Sequence, residues 1–373
     1  MPCCLVVINA QKTRFLENIG IIELSRVEVT YTNMLPLQRD SFGMFKRESF
    51  GKEVIELREG IRLQNRDIEL LIFLGRYKII LLDNTRYIYG TVIYQEKRIV
   101  NLVKHNYIRR LKHRYITLGT KGKEYLLENG FEVREHCRNE KNIERLNVIS
   151  DIASCLIHDN MNFIPSWNMK KEDEPTTHSR RYIGKLEYNN QDEFLVYAIY
   201  EGKDDKYIKS IYYDIRKEHE YKMVMIFTND IEKIVLHEKG FFFGNEYTVL
   251  VPYNEYGKFL IRNNYKIRNS IYLRLKELYK VELTDFKFAD LKLDDDNYIV
   301  IMPLINMEKL VRLHYYFKEN RNCKNIHIFG LEEYEKTIEK YIPECSYKSL
   351  TRDKINELLE QYEKTGGEDD GTI

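Results

Sequence analysis

Between Arg62 and Phe131 the chain is cut into short apolar runs, and the cuts decide what it can fold into. "NRDIELLIFLG" sets Ile68, Leu71 and Ile72 on one helical face and stops at Gly75. "YKIILLDNTRYIYG" is a second short element ending at Gly90, and "YQEKRIVNLVKHN" is a third, helical one. "YIRRLKHRYITLG" then reads as two short strands around a basic turn, and "TKGKEYLLENG" as a helix stopped by Gly130. Short helices of this kind need tertiary packing to persist. Three helices, a β-hairpin and a closing helix form the order expected of a winged helix-turn-helix.

The remainder of the chain reads differently. Residues 1–60, with "GIIELSRVEVTYT" and "KEVIELRE", form a strand-rich N-terminal extension. The winged helix-turn-helix is expected over 61–135 and a connecting helix over 136–162, within "RNEKNIERLNVISDIASCLIHDN". That helix could pair with a second subunit, which would make a homodimer. From 163 to 345, strand-like runs such as "EFLVYAIY", "KMVMIFT", "EYTVLVP" and "NYIVIMPL" alternate with helix-like runs such as "DKYIKSIYYDIRKEHEY" and "MEKLVRLHYYFKEN". Such alternation argues for an α/β sheet domain. The expected fold class is therefore α+β and α/β, a winged helix-turn-helix followed by a mixed α/β domain. In 346–373 a last helix places Ile355, Leu358, Leu359 and Tyr362 at i, i+3, i+4, i+7, before an acidic tail. The run Asp294, Asp295, Asp296 is expected to be a solvated turn.

Charge is distributed unevenly. From Arg66 to Tyr125 there are thirteen Lys and Arg against five Asp and Glu, a net of +8. The whole chain carries only +1, so the rest stands at −7. A localised positive field is what a polyanion partner requires. At about 100° per residue, the third helix gathers Ile99, Val100, Leu102 and Val103 on one arc. Lys97, Arg98, Asn101, Lys104 and His105 gather opposite. Arg can hold a guanine edge and Asn an adenine edge in bidentate pairs, so Arg98, Asn101, Lys104 and His105 are the expected groove contacts, with Lys97 among the DNA-binding residues. Arg109, Arg110, Lys112 and Arg114, around the hairpin turn, are expected on phosphates of double-stranded DNA, with Lys121 joining the set. The alternatives are a solvated basic face on an ordinary helical subdomain, or another anionic surface. A membrane surface is disfavoured, because the exposed arc is polar.

Other classes are poorly served. The six cysteines, at 3, 4, 137, 155, 323 and 345, show no C-x-x-C pair. The start lacks the pattern of a signal peptide, and no run approaches the ~18 apolar residues of a membrane span. A cytoplasmic protein is expected.

The runs "RDIELLIFLGRY", "KRIVNLVKHNYIRR" and "YITLGTKGKEYLLENG" resemble the winged helix of the replication-relaxation family, proteins of plasmids and conjugative elements in Gram-positive bacteria. "RYIGKLEYNNQDEFLVYAIY" is similar to the way that family's second domain begins, and the likeness covers roughly residues 61–220. The resemblance implies a winged helix followed by a degenerate nuclease-like α/β domain. It also implies binding to element DNA in replication, mobilisation or copy control, and it transfers no catalytic residue.

One enzymatic arrangement can be sought within that implication. Restriction-endonuclease-like sheets use an acid on one strand and E-x-K on the next to hold Mg²⁺ and assist a water. Glu201 and Lys203 supply E-x-K after "EFLVYAIY", with Glu187 or Asp192 as the upstream acid. Their place at the end of a strand suits that chemistry poorly. A metal-dependent nuclease with Mg²⁺ is therefore the alternative reading, beside a transcriptional regulator and a protein-binding winged helix, and no cofactor is expected otherwise.

Overall fold

The computed structural model describes residues 61–133, 143–157, 161–169, 181–188, 192–200, 202–217, 221–236, 247–320 and 323–364. The strands expected in 1–60 and the acidic tail lie outside these. The described residues form a mixed α/β protein of eleven α-helices and three sheets. The chain divides into two compact units, one spanning Ser41–Phe227 and the other including Thr228–Ile373. Among the described residues, no helix is long and apolar enough to cross a membrane.

The first unit opens with α1 (Asn65–Tyr77), β1 (Ile79–Leu81), a 3-10 turn (Leu82–Thr85) and α2 (Arg86–Tyr89). Then come α3 (Val92–Lys104), β2 (Ile108–Leu111), β3 (Tyr115–Leu118) and α4 (Thr120–Glu128). The helices, hairpin and closing helix thus follow the expected order, with β1 added. It pairs antiparallel with β3 (Ile80 opposite Ile116), giving a three-stranded sheet ordered β1-β3-β2. Leu70, Leu71, Ile80, Ile99, Leu102, Ile116 and Leu126 seal the space between sheet and helices.

Two glycines act through close approach. Gly75 does not stop α1, which runs on to Tyr77 and ends at Lys78 with φ 73°. A Cβ at Gly75 would lie 3.0 Å from Leu126 Cδ1, so the residue admits α4. At Gly122 a Cβ would lie 2.1 Å from the Tyr107 carbonyl oxygen. Only glycine lets the first turn of α4 rest on the start of β2.

Helix α5 (Ile143–Cys155) corrects the expectation of a connector. Ile143 and Leu146 pack on Ile79, and Val148, Ile149, Ile152 and Ala153 are buried too. Its apolar residues are too dense for one face, so several faces are covered within the unit. The part expected as a separate α/β domain also begins inside this unit. Tyr77 Oη donates to the Phe163 carbonyl (2.6 Å), tying α1 to β4 (Met161–Pro165). Strands β4, β5 (Gly184–Tyr188) and β6 (Asp192–Ile199) form an antiparallel meander. Helix α6 (Asp205–Lys217), burying Ile208, Ile211 and Ile215, leads to β7 (Met223–Thr228). The boundary at Phe227 falls within the stretch 163–345. Alternating strands and helices carry no mark of such a division.

The second unit comprises α7 (Ile231–Leu236), β8 (Tyr247–Pro252), α8 (Glu255–Tyr279), β9 (Glu282–Leu283), β10 (Leu291–Lys292), β11 (Asn297–Met302) and β12 (Ile305–Asn306). These are followed by α9 (Met307–Glu319), β13 (Asn325–Leu331), α10 (Glu335–Tyr341), β14 (Ser346–Leu350) and α11 (Arg352–Lys364). Its five-stranded sheet runs β14-β13-β11-β10-β9, with β11, β13 and β14 parallel. The acidic run is the expected turn: Asp294 Oδ1 accepts from the Asp296 and Asn297 amides, while Lys292 and Lys324 neutralise Asp295 and Asp296. Helix α11 buries Ile355, Leu358, Leu359 and Tyr362, as its spacing requires.

Glu308, in the first turn of α9, is buried; it accepts from the Thr248 amide, and its other oxygen has no partner among the described residues. Burial pushes its carboxyl up to about 7. An unfolded chain would ionise it near the ordinary 4.5. Unfolding thus releases a proton between those values, and stability falls as pH rises through that window. The shift corresponds to about 3 kcal/mol. Glu308→Gln is expected to recover most of this at about pH 8 and nothing near pH 4, as read by denaturant unfolding at both. An equal gain at both pH values would show that ionisation is not the cause.

Candidate nucleic-acid interface

Helix α3 lies with Gln95, Ile99 and Leu102 inward and Ile93, Lys97, Val100, Asn101 and Lys104 exposed. The buried face is turned by about 50° from the arc that the valines and isoleucine suggest. Two polar residues cause the turn. Gln95 Nε2 donates to the Leu82 carbonyl (2.8 Å). Arg98 donates through Nε to Asp67 Oδ1 (3.2 Å), through Nη2 to Asp67 Oδ2, and to the Arg62 carbonyl (3.1 Å).

Asp67 is fully buried and also accepts from Tyr89 Oη and the Gln64 amide, both at 2.8 Å. The Asp67 hydrogen bonds raise the Arg98 guanidinium above its usual pKa. Burial, then the Asp67 charge, pushes the Tyr89 phenol far up. With its side chain only 12% exposed, Arg98 serves the interior. This corrects its assignment to a groove.

A signal for the pair existed in the sequence. Asp67, Leu70, Leu71 and Leu74 recur at i, i+3, i+4, i+7, so an acid occupies an apolar-face position and demands a buried partner. His105 is likewise occupied: its Nδ1 lies 2.8 Å from the Asn101 carbonyl at the end of α3. Val100 moves the other way, from the expected core arc to the surface.

The hairpin presents its charges at a sheet edge. Arg109 and Arg110 are exposed on β2, the outer strand. Lys112 and His113 adopt left-handed φ values of 48° and 59°, which cost a non-glycine residue about 1 kcal/mol or more each. The turn is closed by the Arg114 amide on the Lys112 carbonyl (2.7 Å), and it holds Lys112, His113 and Arg114 in solvent. Lys121 is exposed in the first turn of α4.

Of the thirteen cations between Arg66 and Tyr125, five are used structurally. Arg66 and Arg76 donate to backbone carbonyls, Lys78 lies over Trp167, Arg86 lies over Tyr87, and Arg98 holds Asp67. Of these five only Arg86 is exposed; the other eight are all exposed, and they belong to α3, the hairpin and the start of α4. Lys97, Lys104, Arg109, Arg110, Arg114 and Lys121 make no ion pair with any described acid. The arrangement is a basic surface on which α3 also exposes one amide, Asn101, one acid, Glu96, and three bulky apolar groups, Val92, Ile93 and Val100.

The nuclease constellation is not brought together. Glu187 is paired with Lys185 (2.9 Å) and Asn162 (2.8 Å), and it lies opposite Glu193 at the start of β6. Lys203 lies beyond the far end of β6, over the Tyr200 and Tyr207 rings at 4.2 and 5.2 Å. Six residues of strand separate the two ends, roughly 20 Å. Asp192 sits at the near end with Glu187. Glu201 lies outside the described residues. Among those described, no three His, Cys, Asp or Glu side chains gather as a metal site. The strand assignments that suggested E-x-K were sound, but the antiparallel register puts the upstream acid at the wrong end.

No protein-family model matches the chain, and neither a curated protein nor a solved structure does.

Proposed function

We propose that residues 61–133 are a winged helix that binds double-stranded DNA, with α3 entering the major groove and the β2–β3 hairpin lying on phosphates as the wing. What carries the reading is the sorting of charge. Five cations are drawn into structural contacts, of which only Arg86 on α2 is exposed, and the other eight, all exposed, fall on these three adjoining elements. An ordinary solvated face has no reason to be so segregated, whereas a duplex needs donors along one track. Lys97, Asn101 and Lys104 face the groove. Arg109, Arg110, Lys112, Arg114 and Lys121 position the helix through the backbone without reading sequence. Arg98 and His105 support the fold of this surface. The resemblance to replication-relaxation proteins suggests a role on a mobile element, in replication, mobilisation or copy control.

With about five phosphates neutralised, log K should fall against log salt with a slope of about −4.5. That is roughly a 500-fold loss between 50 and 200 mM salt. Fluorescence anisotropy with a labelled duplex measures it. Binding indifferent to salt, or no binding at low salt, would remove the proposal.

A further inference from the structure

The outward face of α3 is not purely basic. Ile93 is 73% exposed and Val100 55%, with Val92 at the helix's first position 58% exposed. Ile93 and Val100 stand seven residues apart, two turns on one stripe, with Lys97 between them, Lys104 beyond and Asn101 beside Val100. A scattered apolar residue on a surface needs no explanation. Here, however, the two share one stripe of the solvent face, away from the buried Gln95, Ile99 and Leu102, with Lys97 and Lys104 along one side of it and Glu96 on the other. A partner for this stripe must offer anionic groups along the lysine side, apolar contacts at its middle and an amide-complementary edge towards Asn101.

The major groove of an A·T-containing duplex has that chemistry. Thymine alone among the bases presents a methyl group there, and adenine pairs with a bidentate Asn by donating from its N6 amino group to the Asn carbonyl and accepting the Asn amide N–H at N7. We infer that α3 reads thymine methyls through Ile93 and Val100 and adenine through Asn101, so that the preferred duplex is one whose A·T pairs face this helix. The inference rests on the DNA-binding reading above and adds the base class it selects. A face made only for phosphates would gain nothing from Ile93 and Val100, which would lie against charged oxygens. An apolar protein partner would have to bury Lys97 and Lys104 with them, at a desolvation cost that the duplex avoids by pairing each with a phosphate or base edge.

The test uses the full chain and three alternating duplexes of equal length, d(A–T), d(A–U) and d(G–C). Replacing thymine by uracil removes the methyl and keeps the Watson–Crick pair. The wild type is expected to bind d(A–T) more tightly than d(A–U) by between about four-fold and fifteen-fold, for one or two methyls buried at ~0.8 kcal/mol each. It should bind d(G–C) more weakly than either. The double variant Ile93→Ala, Val100→Ala should bind d(A–T) and d(A–U) alike, with its salt slope unchanged. Asn101→Ala should lose the preference of d(A–U) over d(G–C) while keeping the methyl effect. Equal binding of d(A–T) and d(A–U) by the wild type overturns the inference, as does a methyl preference that survives in the double variant. Self-association of the chain that the double variant abolishes, with no change in the d(A–T) to d(A–U) ratio, overturns it too and assigns the stripe to a second copy. Salt-dependent binding without base preference leaves the DNA-binding reading standing, whereas no binding to any duplex removes both.

Discussion

Replacing Arg98 by alanine is expected to lower the unfolding free energy by about 3–5 kcal/mol, the range for breaking a buried ion pair from one side. The guanidinium supplies two of the four hydrogen bonds that Asp67 accepts, and the carboxylate it leaves behind is completely buried in α1. Tyr89 and the Gln64 amide would still donate, but no positive charge would remain there. The loss should be weakly sensitive to salt, because buried pairs are poorly screened. Lys97→Ala, one residue away and exposed, should change stability by no more than about 0.5 kcal/mol. Denaturant unfolding of the two variants side by side measures the contrast. Below its transition, Arg98→Ala should keep whatever discrimination among duplexes the wild type has, since its side chain does not face the groove. If both variants melt alike, Arg98 is not held inside.

The same residue shows what the sequence could and could not reveal. Element order between Asn65 and Glu128 was legible because hydrophobic spacing, Gly90 and the basic turn are local signals, and local signals specify helices and hairpins. The rotation of α3 about its axis was not legible in the same way. It depends on Asp67, thirty-one residues earlier, and on the Leu82 carbonyl, which together turn Arg98 and Gln95 inward and Val100 outward. A helical wheel counts apolar residues and cannot see such partners. Placing α5 as a linker failed for a related reason: its position between two expected domains suggested a connector, while its many buried positions mark a core helix. The E-x-K reading failed on register, which fixes which end of a strand a residue occupies and is set by pairing rather than by composition. For the candidate site, the charge pole was plain from counting. Which cations stay exposed became clear only when each structural partner was known.

Removing three hairpin arginines together, as Arg109→Gln, Arg110→Gln and Arg114→Gln, should have the largest functional effect of any change to this surface if it binds DNA as proposed. Each is exposed and without an acid partner among the described residues, so the substitutions take charge away without opening the core. Lys112 is left in place, because its left-handed backbone shapes the turn. Each phosphate contact adds about 0.9 to the salt slope, so the slope should flatten from about −4.5 to about −1.8. At 0.1 M salt the same three contacts correspond to 2.7 decades, roughly a 500-fold loss of affinity. The ratio of d(A–T) to d(A–U) binding should stay as it is, since phosphates position the protein and base edges specify the site. Stability should change by about 0.5 kcal/mol or less per site, which unfolding of the variant checks. An unaltered slope with intact folding would mean that the hairpin is only a solvated basic edge. A slope that flattens while the methyl preference persists would separate the two jobs physically, with the wing supplying the affinity and α3 supplying the choice of base.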